Sequence, residues 1–129
     1  MATGFPSVTG DVLTAGMFNG LVAFTLNAQT GATYTAVSTD QYQVLVTMNN
    51  ASANAFKIPT NASVAFAVGT VITVMNIGAG LCTISAVTPG TTTVLSSGAT
   101  AASPTVAQYR SAVCIKTATD VWYVVGSVA

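Results

Sequence analysis

Between Thr70 and Ile77 the chain reads TVITVMNI, a period-two ribbon that is apolar on both sides, with Val71, Met75 and Ile77 alternating with Ile72 and Val74. A strand of that kind must be covered twice. One cover is the domain's own core, and the other is a second sheet layer or another copy of the protein. Val71, Ile72, Val74, Met75 and Ile77 are therefore candidates for core or subunit interface. The ribbon belongs to a longer stretch, Phe56 to Gly80, that enters through a short strand and a break at Pro59 and leaves through Gly78 and Gly80.

No segment sustains the i, i+3, i+4, i+7 spacing of an amphipathic helix, and Val, Thr and Ile dominate the regular stretches. Gln43 to Met48 alternates with Val44, Val46 and Met48 inward, and Cys82 to Val87 forms a strand stopped by Pro89-Gly90. Leu21 to Leu26 is expected as the first strand, with Val22, Phe24 and Leu26 on one face. Asn27 to Gly31 follows as a turn, and Thr33 to Val37 resumes extended structure. Residues 91 to 105 suggest one short strand and a long loop of small residues. Ser111 to Thr117 and Val121 to Gly126 predict a hairpin about Ala118-Thr119-Asp120, with Trp122 and Val124 in its core. The expected fold is all-β, a β-sandwich or jelly-roll-like barrel of about seven to nine short antiparallel strands. It occupies residues 20–129 behind an extended arm, residues 1–19, whose Phe5, Val12, Leu13, Met17 and Phe18 are apolar enough to dock on a partner.

Charged residues make up 5% of the 129-residue chain, where an ordinary soluble domain has about 25%. Three acidic and three basic side chains cancel, so there is no field to attract a polyanion or a membrane surface, and neither nucleic acid nor membrane is expected as a partner. A surface with so little charge repulsion is best understood as covered by neighbours, so self-association is expected. The apolar runs are far shorter than the ~20 residues that cross a bilayer. The segment MATGFPSVTGDV has neither the basic nor the apolar region of a secretory signal, so export by that route is not expected.

The chain contains no histidine, which removes the commonest general base and the usual metal ligand together. Asp11, Asp40 and Asp120 read as turn residues; a glycosidase-like pairing of Asp40 with Asp120 would need the fold to bring them together. Cys82 and Cys114 lie in strand-like runs and are expected as small buried thiols, with a disulfide between adjacent strands as the alternative. The tyrosines and Trp122 offer a stacking platform for sugars, with core and interface packing as the default use. No catalytic residue, metal site or cofactor is assigned, and the chain is not expected to be an enzyme.

The runs NAQTGATYT at 27–35, VLVTMNNA at 44–51, IPTNASVAFAVGTVITVMNIGAG at 58–80 and YRSAVCIKTATDVWYVVGSVA at 109–129 resemble a β module of tailed-bacteriophage structural proteins. Its length and short arm make the chain most similar to capsid decoration, or cement, proteins. That resemblance implies a homotrimer on the outside of a phage head, bound to the major capsid protein of the virion, made in the host cytoplasm and stabilising the shell without catalysis. Two alternatives stay open: a tail-fibre or head-fibre component that binds a host surface, and a carbohydrate-binding β domain.

Overall fold

The computed structural model describes residues 24–129. The proposed arm, with Phe5, Val12, Leu13, Met17 and Phe18, lies outside those residues, as do Leu21 and Val22 of the expected first strand. Among the described residues the fold is all-β: β1 (Thr25–Gln29), β2 (Thr33–Thr35), β3 (Val44–Met48), β4 (Asn54–Ile58), β5 (Val71–Asn76), β6 (Cys82–Ala86), β7 (Thr93–Ser96), β8 (Thr105–Val106), β9 (Arg110–Ala118) and β10 (Val121–Gly126). A 3-10 turn, Ser38–Gln41, lies between β2 and β3.

From β1 to β9 successive strands alternate between two sheets. One sheet has the order β1-β3-β5-β9-β10-β7 and the other β2-β4-β6-β8. Because the chain crosses from the first sheet to the second and back before adding the next strand, β1, β3 and β5 run parallel, and so do β2, β4 and β6. The wholly antiparallel arrangement expected from the short strand spacing is therefore corrected. Short links normally imply hairpins, but here the short links from β1 through β6 are corners between sheets, and parallel pairing follows without a helix. Antiparallel pairing is confined to β5–β9, β9–β10 and β6–β8.

The corners stack. Asn49 N–H donates to Gln29 O, Gly78 N–H to Met48 O and Gly80 N–H to Asn50 O, so each corner is hydrogen-bonded to the one before it. At the third corner the buried Asn76 donates from Nδ2 to Gly80 O and Val106 O, both at 2.8 Å, and accepts Gly78 N–H on Oδ1. An amide with donors and acceptor all satisfied can close a turn in an apolar setting, where unpaired polar atoms would cost about 1–3 kcal/mol each.

Both sheets feed one core. The first contributes Val46, Met48, Ile72, Val74, Cys114, Trp122 and Val124, and the second Phe56, Ile58, Cys82, Ile84 and Val106. The expected β9–β10 hairpin is present, with Trp122 packed edge-on against Phe66 at a centroid distance of 5.5 Å. Asp120 occupies the hairpin turn at φ 55°, a left-handed conformation that Asp tolerates better than most residues.

The first strand departs from expectation. It starts at Thr25 and continues through Asn27, Ala28 and Gln29, where a turn was expected. Polar side chains are tolerated there because they are bonded: Asn27 Nδ2 donates to Asp40 Oδ1 and to the Tyr34 hydroxyl, and Gln29 Nε2 donates to Asn27 Oδ1. Phe24 and Leu26, expected on one face of that strand, are both exposed.

Candidate interaction surface

The ribbon at β5 divides as its alternation requires. Ile72 and Val74 are fully buried in the core, whereas Val71 and Met75 point to the outside of the six-stranded sheet, and Ile77 lies partly exposed at the corner after the strand.

Strand register assembles the outward side chains into rows. Leu26, Leu45, Thr73, Val113 and Val125 are successive neighbours across five strands. A second row runs Val71, Ile115, Tyr123, Leu95, and a third runs Ala28, Thr47, Met75, Ser111, of which Thr47 is buried. No outward position in these rows is charged. Several of the large side chains are well exposed: Leu26 62%, Val71 46%, Val125 45% and Tyr123 43%. Six strands at about 4.8 Å spacing make a face roughly 25 Å across, the scale of a subunit interface.

The outside of the four-stranded sheet is of the opposite character. Its rows are Thr33, Ala55, Thr83, Thr105 and Thr35, Lys57, Ser85, and Lys57 Nζ donates to Ser85 Oγ at 2.9 Å. Small polar side chains suit contact with water. The molecule thus has one wet outer sheet and one dry one, and the large apolar rows on the dry side are of the kind that marks a protein contact. The sequence named Val71, Ile72, Val74, Met75 and Ile77 for core or subunit interface, and of these Val71 and Met75 fall in the outward rows. It missed Leu26, Leu45, Leu95, Val113 and Ile115, because membership of a shared face depends on strand order and register, which the spacing of one strand does not give. Tyr123 and Val125 were separated from the hairpin core by their alternation with Trp122 and Val124.

The polar groups build local structure. Asp40 is buried and accepts Asn27 Nδ2, the Tyr34 hydroxyl at 2.7 Å and Val37 N–H at 2.9 Å, which closes the 3-10 turn. Burial, with the bond to Asp40 next in importance, pushes the Tyr34 phenol up to about 12. Asp120 serves a different network, accepting Asn61 N–H and the Thr92 hydroxyl on Oδ1. The two carboxylates share no hydrogen-bond partner, and each secures a turn. Among the described residues no cluster of His, Cys, Asp or Glu is arranged to hold a metal ion.

Cys82 and Cys114 are buried free thiols on β6 and β9, strands of different sheets, so the alternative of a disulfide between adjacent strands does not apply. Burial raises Cys82 to about 11; burial, and then the nearby Cys82, raise Cys114 to about 12. Thiols held in this way are poor nucleophiles. Lys116 is also buried, and its ammonium donates to Asn61 Oδ1 and Phe66 O.

No protein-family model matches the chain, and neither a curated protein nor a solved structure matches it. The surface just described is thus read from this chain's own residues.

Proposed function

We propose that the chain is a virion structural protein of the capsid-decoration type: a homotrimer that binds the major capsid protein on the outside of a phage head and stabilises the shell. One observation carries the reading, together with the resemblance of segments 27–35, 44–51, 58–80 and 109–129. It is the contrast between the apolar, uncharged outer face of the six-stranded sheet and the polar outer face of the four-stranded one. A protein that works by being permanently covered needs such a face. Each side chain fully buried there contributes about 1.5 to 3 kcal/mol, and binding of the assembled state favours it by mass action. The layer arrangement adopted with this reading is a sandwich of the two sheets, since residues of both share one core.

Quantitative mass spectrometry of purified particles tests the assignment. The chain is expected in a fixed, high ratio to the major capsid protein and to be lost from heads when it is stripped. Presence at trace level and only in isolated tails would instead support a fibre component.

A further inference from the structure

We propose that Lys116 and Asn61 form an intramolecular isopeptide cross-link. The observation is a contact outside the apolar face and independent of the function proposed above. Lys116 Nζ lies 2.5 Å from Asn61 Oδ1 and 2.6 Å from Phe66 O, and the residue is 2% exposed. Its cross-strand neighbour is Trp122, which packs edge-on against Phe66, the residue whose carbonyl accepts from Lys116 Nζ.

Three features favour chemistry over a plain hydrogen bond. The first is distance. A carbonyl C=O bond is about 1.2 Å long, so a nitrogen 2.5 Å from Asn61 Oδ1 is at most about 3.7 Å from Cγ, close to the 3–3.5 Å of a near-attack arrangement. The second is electrostatic. Among the described residues Lys116 donates to a neutral amide and a neutral carbonyl, and converting a buried ammonium to an amide removes the cost of its desolvation. The third is positioning. Asn61 is held by its backbone, whose N–H donates to Asp120 Oδ1 at 2.8 Å, while Thr92 steadies the same oxygen at 3.0 Å.

The step balances without any added reagent. The Nζ–Cγ bond forms as the Cγ–Nδ2 bond breaks, two protons pass from the Lys116 ammonium to the departing nitrogen, and one ammonium ion leaves. Asp120 is a positioning residue in this scheme. Lys57, whose Nζ donates to the Ser85 hydroxyl, is the internal comparison. The product ties the loop between β4 and β5 to β9 across a separation of 55 residues.

The test is the intact mass of the purified full-length chain under denaturing conditions, followed by peptide mapping. The expected mass is one ammonia below that of the sequence, with a branched peptide joining the segments of Lys116 and Asn61. The sequence mass should return in Lys116→Met and in Asn61→Ala, and Lys57→Met should keep the loss. Asp120→Asn, which preserves an acceptor for Asn61 N–H and tolerates the left-handed turn, should cross-link where Asp120→Ala does so more slowly. A folded wild-type chain that retains its full sequence mass overturns the proposal, as does an ammonia loss that persists in Lys116→Met. The wild-type measurement decides the matter even if a variant fails to fold.

Discussion

Gly80 passes directly over Ser52: a β-carbon placed on Gly80 would lie 1.9 Å from the Ser52 carbonyl oxygen. Gly78 stands in the same relation to Asn50, with 2.3 Å to its backbone nitrogen. Both contacts are with backbone, which cannot swing aside as a side chain can. These glycines let the third corner settle onto the second, and the corner bonds from Gly78 to Met48 and from Gly80 to Asn50 depend on that approach.

Gly80→Ala should therefore destabilise the fold by at least the roughly 1 to 3 kcal/mol typical of overpacking. Gly90→Ala is the matched control, since a β-carbon there meets nothing within 4 Å. Urea unfolding of the two variants checks the difference. Equal midpoints would show that the corners are free to separate.

Trp122→Ala should cost about 3 to 5 kcal/mol, the usual range for deleting a large buried aromatic. The indole is almost wholly enclosed and its removal also leaves Phe66 without its edge-on partner. Denaturant unfolding followed by far-ultraviolet circular dichroism measures the loss, and a variant as stable as the parent would place the indole outside the core.

The β character was legible because Val, Ile and Thr alternate over short runs, and so were the hairpin and its core, because Trp122 and Val124 recur at period two beside a turn. The parallel order was not, since an eight-residue gap says nothing about whether the next strand joins the same sheet or the facing one. The extent of β1 was hidden for a different reason. Asn27 and Gln29 look like turn residues until Asp40 and Tyr34, distant in sequence, arrive to bond Asn27. Of the apolar surface, Val71 and Met75 could be named from their own strand, whereas Leu45 and Val113 join it only through pairing with Thr73.

Stability should fall at alkaline pH, and the sign follows from the thiols and Tyr34. Their native pKa values are raised by burial, to about 11 for Cys82 and about 12 for Cys114 and Tyr34, above the ordinary 9.0 of a thiol and 10.0 of a phenol. In the unfolded chain they lose protons first, so their contribution is complete below about pH 9 and declines as pH rises through the native values. The urea midpoint should be lower at about pH 10.5 than at about pH 8. Cys82→Ala combined with Cys114→Ala should flatten that decline. An unchanged slope would mean that the thiols ionise as readily in the folded protein as in the unfolded chain.

The apolar rows lead to the prediction that bears most directly on assembly. Val71 and Tyr123 lie in one row, both partly exposed, with Ile115 between them. A carboxylate at either position meets water in an isolated subunit and should leave its fold intact, because surface changes away from special features usually shift stability by no more than about 0.5 kcal/mol. Within a subunit contact the same carboxylate would be buried without a partner, at a cost of several kcal/mol. On the proposed reading the parent is expected to sediment as a trimer, Val71→Glu and Tyr123→Glu as folded monomers, and the Val71→Glu, Tyr123→Glu double variant should not associate at all. Thr83→Glu, on the polar outer face of the other sheet, should sediment as the parent does. Light scattering with size exclusion reads each state directly. If Thr83→Glu dissociates the oligomer and Tyr123→Glu does not, the subunits meet through the wet sheet and the dry one must face the shell.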